Sequence, residues 1–315
     1  MPREHSEMPT LDSLLPPETD QKVRIASAQL SAEIAPLGAE LQRLTDAQGR
    51  ELLWDGDPAY WTGRAPILFP IVGSLVGDSY RLGDRRYTLP KHGFARRSLF
   101  TPIAQQQGSV TFRLAANAAT RAAYPFDFVL DISFAIEGAA LTMTAAVTNA
   151  GDEPMPASFG FHPALRWPLP YGRPRDQHRV RFAQPEPAPI RRIDGTGAIR
   201  PETLPTPVKG RDLMLDDALF ADDAIIFDRL ESRSLTYGAP GGPALQIDFP
   251  DMPHLGLWMK PGANYLCIEP WQGHSDPIGF DGDFRDKPGI VLIDPGETRR
   301  FIMRIALAPG EGAFD

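Results

Sequence analysis

Between residues 126 and 137 the chain reads FDFVLDISFAIE, an unbroken alternation. Phe126, Phe128, Leu130, Ile132, Phe134 and Ile136 fall on one face, and Asp127, Val129, Asp131, Ser133, Ala135 and Glu137 fall on the other. A two-residue period is that of a strand buried on one side. After the turn EGAA, the segment LTMTAAVTN alternates again through Leu141, Met143, Ala145 and Val147; AGDEP turns the chain and MPASFGFH returns it. The pattern predicts an antiparallel meander with His162 at its open end.

Similar short segments recur along the chain: VRIASAQLSAEIAP, DDAIIFDRL, SRSLTYG, ALQIDFP, HLGLWMK, NYLCIEP, GIVLID and RRFIMRIAL, most of them separated by Gly, Pro, Asp or Asn. These separators are turn chemistry, so the segments read as strands. GAELQRLTD has the composition of a helical turn but is short and flanked by strand signals. Residues 170–215 are rich in Pro and Arg with weak periodicity, which predicts a long irregular excursion. The expectation is an all-β fold, a large antiparallel β-sandwich. It forms a single catalytic domain over residues 22–315, after an arm at residues 1–21 that is disordered or loosely attached.

Composition sharpens this picture. The 315 residues include 33 prolines and 28 glycines, with proline at about twice average usage. Neither residue suits helix interiors, so the density favours many short strands. The net charge of −8 offers no basic face for nucleic acid. No run of 18 apolar residues suggests a membrane span, and the N-terminus lacks the apolar core of a signal peptide. One cysteine, Cys267, excludes an internal disulfide framework and fits a reducing cytoplasm, where the protein is expected to reside. No Cys/His run has zinc spacing, so neither metal nor cofactor is expected.

Three segments gather functional side chains. LPKHGFARRSLF places His92, Arg96 and Arg97 around a Gly-Phe pair, an imidazole and guanidinium donors beside an aromatic wall; solvated loop arginines are the plainer reading. In MPASFGFHPALRWPLP, alternation puts Ser158, Gly160 and His162 on one face, and Gly160 leaves that face free of bulk for a ligand. A strand-end histidine also serves as a satisfied structural group. In NYLCIEPWQGHSD, Tyr265, Cys267 and Glu269 share a face, and Trp271 offers a flat surface to a sugar-like ring. A glutamate on so apolar a strand is costly to ionise unless paired, and burial raises its pKa toward the range of a general base or acid. Two histidines and one carboxylate suffice for proton transfer without a metal. No G-x-S-x-G elbow surrounds Ser74, which disfavours a serine hydrolase.

Taken in order, APILFPIVGSLVGD, KHGFARR, FGFHPAL, DDAIIF and CIEPWQGHSD resemble the aldose 1-epimerase (galactose mutarotase-like) family, in its LacX- and hexose-6-phosphate-mutarotase-like branch, from about residue 22 to residue 308. The resemblance implies a β-supersandwich and metal-free interconversion of the α and β anomers of an aldose. It places the base on Glu269, the acid on His162 and the second histidine on His92. Arg96 and Asp223 become candidates for sugar contact, with Trp271 beside them. Many relatives carry Gly-Arg after LFPIV, whereas this chain has Gly73-Ser74. Arg64 or Arg97 are the candidates to replace that guanidinium, and its loss leans the expectation toward an unphosphorylated or unusual sugar. A sugar-binding protein without catalysis is the alternative. A two-carboxylate glycosidase is disfavoured because only Glu269 is well placed.

Overall fold

In the computed structural model, residues 21–310 and Phe314 are described; the predicted arm at residues 1–21 falls, but for Gln21, outside them. Two antiparallel sheets dominate. The larger has nine strands, in the order Asp212–Met214, Arg179–Phe182, Ser234–Gly238, Ala244–Asp248, Thr298–Ala308, Ala140–Asn149, Phe128–Glu137, Ser109–Ala115 and Thr101–Gln106. The smaller runs Ile225–Phe227, His254–Trp258, Tyr265–Gln272, Phe159–Phe161 and Ile67–Leu68, with Ala164–Arg166 also paired to Tyr265–Gln272. Among the described residues the only α-helix is the six-residue Ala118–Ala123, capped by the Asn117 side chain. The fold is the all-β antiparallel sandwich that the alternation and the proline count predict.

Aromatic pairs join the sheets face to face. Phe159 of the smaller sheet stacks on Phe301 of the larger, ring centroids 5.2 Å apart and nearly parallel. Phe227 meets Phe182 at 5.4 Å, and Phe69 meets Phe128 at 5.1 Å. Burying large rings between two sheets is the main drive for this layering, since each removes well over 100 Å² from water, about 150–250 Å² per aromatic side chain. One buried cluster of side chains extends from Ile25 to Ile305.

The strand Phe128–Glu137 alternates buried and half-buried positions as its sequence predicts, and pairs with Ala140–Asn149 in register Phe134 with Met143. The predicted third strand of that meander goes elsewhere. Met155–Ala157 pairs with Val291–Ile293, and Phe159–Phe161 joins the smaller sheet. Pro154 and Pro156 lack the N–H that another ladder rung would need, so the chain leaves the larger sheet after Asn149. GAELQRLTD forms a strand, Glu40–Asp46, and VRIASAQLSAEIAP is a hairpin of Val23–Ala26 and Leu30–Ala35. The excursion at 170–215 is irregular but contributes two strands to the nine-stranded sheet, Asp212–Met214 at its edge and Arg179–Phe182 next to it.

Candidate active site

The outer face of the smaller sheet forms the floor of a cavity of about 200 Å³, the size for a single small ring rather than an extended ligand. Two neighbouring strands aim the chemistry into it. Along Tyr265–Gln272, Leu266 and Ile268 turn to the core and Glu269 and Trp271 turn to the cavity, while Cys267, on the Glu269 face, is fully buried and off the cavity wall. On the adjoining strand Phe159 and Phe161 anchor inward, so His162 follows at the outer side, held by Pro163. His162 Nε2 lies 3.2 Å from Glu269 Oε2, both side chains nearly inaccessible to solvent.

Gly160 has a different use from the one its position predicts. A Cβ there would lie 2.6 Å from Trp271 Cδ1, and one at Gly256 would lie 2.3 Å from Trp271 Cη2. Gly160 stands opposite Trp271 in register, and Gly256 stands opposite Glu269. The two glycines form a groove in which the Trp271 indole rests, so the space is filled by the protein's own ring. That ring then walls the cavity beside Glu269.

His92 enters from the loop LPKHGFARR. Its φ of 67° is unusual for a side-chain-bearing residue, and Gly93 follows at 70°, where a Cβ would lie 2.2 Å from the Phe69 carbonyl oxygen. The loop is clamped at both ends of one residue: the Gly73 N–H donates to His92 Nδ1 at 3.0 Å, and the His92 N–H donates to the Gly73 carbonyl at 2.8 Å. With Nδ1 accepting, the neutral ring carries its proton on Nε2. The His92 and His162 rings meet edge to face, centroids 5.7 Å apart. Asp223, the other side-chain-bearing wall residue with positive φ (60°), accepts from the Ala224 N–H at 2.6 Å through its own Oδ1.

Burial governs the electrostatics. It pushes Glu269 well above the ordinary carboxylate value, an effect opposed by the Lys91 charge and reinforced by Asp223. The Trp271 indole N–H makes no well-formed hydrogen bond, though its nearness to Glu269 favours the carboxylate. Burial, with smaller contributions from the Lys91 and Arg96 charges, lowers His162 to about 3. His92 is lowered well below 6.5, by burial first and then by His162. Burial thus drives the adjacent carboxyl and imidazole each toward its neutral form.

The cavity brings together Glu269, His162, His92, Arg96, Asp223 and Trp271. It does not include Arg64, whose Nη1 donates to the Gln42 carbonyl at 2.8 Å, or Arg97, which is exposed in the short helical turn Ala95–Arg97. Arg96 is anchored by a 2.9 Å hydrogen bond to the Lys91 carbonyl, while its buried Nε is unpartnered. Ser74 is buried, and a Cβ on Gly197 would lie 2.5 Å from its Oγ, so the excursion packs where a longer side chain would need room. Sequence reasoning missed Lys91, Trp61 and Trp258. Lys91 adjoins His92, and Trp258 shares the alternation of His254 and Gly256, which were usable signals; Trp61 carried none. Among the described residues one group of donors is close enough to ligate a single ion: His162, Cys267 and Glu269, within 4.8 Å of one another. Its members are distant in sequence, so linear spacing could not reveal it.

The sequence model of the family described as Aldose 1-epimerase matches residues 21–305. The chain is 34% identical to a protein named LacX, chromosomal, of Lactococcus lactis subsp. lactis, over 88% of this chain and 96% of that one. Among solved structures it is similar to a galactose mutarotase related enzyme from Lactobacillus acidophilus, at 27% identity and a TM-score of 0.83 over 93% of this chain and 99% of that one. A galactose mutarotase-like protein from Lactobacillus casei matches at 28% identity and a TM-score of 0.84, over 91% and 100%. The fold is therefore the galactose mutarotase-like sandwich, and the chain belongs to the aldose 1-epimerase family.

Proposed function

We propose that the protein is an aldose 1-epimerase, a mutarotase that interconverts α and β anomers by acid–base ring opening and closure. One observation carries the reading: a buried carboxyl and imidazole 3.2 Å apart at the floor of a cavity sized for one ring.

Ring opening needs a proton taken from the anomeric hydroxyl and a proton given to the ring oxygen, two oxygens carried by the same carbon. Glu269 takes the first and His162, as imidazolium, gives the second. The C–O bond to the ring oxygen breaks as the carbonyl forms. The pair begins ionic and ends neutral, its proton count unchanged. Burial favours the neutral pair, which accompanies the open chain; Lys91 favours the carboxylate needed to start from the ring. Rotation about the C1–C2 bond presents the other carbonyl face, and the reversed transfers close the other anomer. His92 donates through Nε2 to a sugar oxygen, Arg96 steadies developing charge, and Trp271 faces the ring. Asp223 accepts from a hydroxyl at the mouth. With Ser74 enclosed by the excursion, an unphosphorylated aldose is the favoured substrate.

Time-resolved polarimetry on fresh aldoses and their 6-phosphates tests this. Acceleration of the relaxation is expected, with free sugars preferred. Sugar binding without acceleration supports the non-catalytic alternative. A kcat/KM a hundredfold higher for the phosphates, about 2.7 kcal/mol in transition-state binding, overturns the choice of substrate alone.

A further inference from the structure

We propose that His162, Cys267 and Glu269 form a site for a divalent ion of borderline softness, Zn²⁺ foremost, and that its occupancy inhibits the protein. The binding claim stands on the side chains; the inhibition claim rests on the proton-transfer role proposed above for two of them.

The donor atoms of all three lie within 4.8 Å of one another. Tetrahedral zinc, with bonds of 2.0–2.3 Å, spaces its ligands by about 3.4–3.6 Å. His162 Nε2 and Glu269 Oε2 already stand 3.2 Å apart. Closing the remaining separation to the sulfur takes side-chain adjustments of about 1 Å. Two of the ligands are alternate residues of one fully buried strand, Tyr265–Gln272, so their spacing is set by the backbone. Cys267 stands opposite Ala164 in the pairing with Ala164–Arg166, two residues beyond His162.

The donor set selects the ion. A thiolate and an imidazole suit zinc and its neighbours, whereas Mg²⁺ and Ca²⁺ require oxygen. One thiolate, one carboxylate and one neutral imidazole around a dication sum to zero charge, which a buried site tolerates best. Three protein ligands leave a fourth position for water from the cavity. The His162 Nδ1 atom has no hydrogen-bond partner, and lack of such outer support weakens metal sites by about 10–100-fold. The site is thus a reversible one. A bound ion takes the imidazole lone pair and the carboxylate oxygen that would otherwise move protons.

Cobalt(II) is the probe, because thiolate ligation gives a charge-transfer band in the near ultraviolet. The chain has one cysteine, so that band reports Cys267 alone. The wild type should show it at one ion per chain, and Zn²⁺ should abolish it by displacement. Cys267→Ser should lose the band and bind Zn²⁺ at least tenfold more weakly in equilibrium dialysis; Cys267→Ala repeats the comparison with a smaller side chain. In metal-free buffer both variants should keep the wild-type mutarotation rate within twofold, and half-inhibition by Zn²⁺ should need at least tenfold more ion. No band at saturating cobalt, or equal Zn²⁺ affinity in wild type and variants, overturns the site. A band that vanishes in Cys267→Ser, in a protein that accelerates no aldose, supports the ion site and refutes the epimerase reading separately.

Discussion

Gly256→Ala tests whether the Trp271 indole really lies in a groove made by glycine. The added Cβ would sit 2.3 Å from Cη2, 2.4 Å from Cζ2 and 3.1 Å from Cζ3, all in the six-membered ring. Carbon atoms in contact stand about 3.5–4.0 Å apart, so the ring must withdraw by more than about 1 Å. Its retreat is toward the cavity beside Glu269. Overpacking of this kind costs about 1–3 kcal/mol, and lower backbone freedom in the unfolded chain returns about 0.4–1 kcal/mol. A net loss of about 1–2 kcal/mol is expected by urea unfolding. Phenylalanine lacks the outer edge of the indole, so in a Trp271→Phe background Gly256→Ala should be nearly neutral. The double-mutant cycle should therefore show a coupling of about 1–2 kcal/mol. Mutarotation should fall as well, by up to about a hundredfold, as a misplacement of about 1 Å near the reacting groups allows. Effects on stability that add within about 0.5 kcal/mol would refute the contact.

Two further outcomes follow from the electrostatics and a third from the metal-free mechanism. Because burial holds His162 at about 3, kcat/KM should stay flat well below pH 6.5, and Lys91→Gln should move both limbs of the profile to higher pH, since the Lys91 charge lowers both His162 and Glu269. A wild-type limb near 6.5, or a shift to lower pH, contradicts the assignment. His254, whose Nδ1 accepts from the Gly273 N–H, is lowered by burial from 6.5 to about 4. The unfolded chain binds the extra proton, so stability present above pH 6.5 is lost as pH falls toward 4, by roughly 3 kcal/mol from this residue. Urea unfolding of His254→Gln should show a shallower loss over that window, and an unchanged slope would count against it. Exhaustive treatment with EDTA should leave the mutarotation rate unchanged or raise it; a loss restored by a divalent ion would show that a metal takes part.

What the sequence disclosed follows from what a two-residue period can encode. Alternation shows which way a side chain faces, and it placed the Phe128–Glu137 strand, the outward Glu269 and the inward Phe159 and Phe161. It does not show which strand lies alongside. Met155–Ala157 therefore found Val291–Ile293 instead of its neighbour in sequence, and Arg179–Phe182 went unrecognised within a proline-rich stretch. The same limit hid the approach of Cys267 to His162, which depends on register between strands distant in the chain. Gly160 was legible as a position needing no side chain, but the occupant of the space, Trp271, came from the next strand. The arginines were the least legible: Arg64 and Arg97 have long, flexible side chains whose direction local pattern does not determine.

The central claim is that Glu269 and His162 move the protons. Glu269→Gln keeps the shape and the hydrogen-bonding capacity of the side chain while removing the base, and general acid–base groups contribute about 10²–10⁴-fold. The deciding measurement is kcat for α-to-β relaxation, by polarimetry, of the aldose that the wild type accelerates most. Spontaneous mutarotation is subtracted, and the fold of the variant is verified by its circular dichroism. The account predicts a loss of at least about a hundredfold; near-wild-type turnover in the folded Glu269→Gln protein contradicts it.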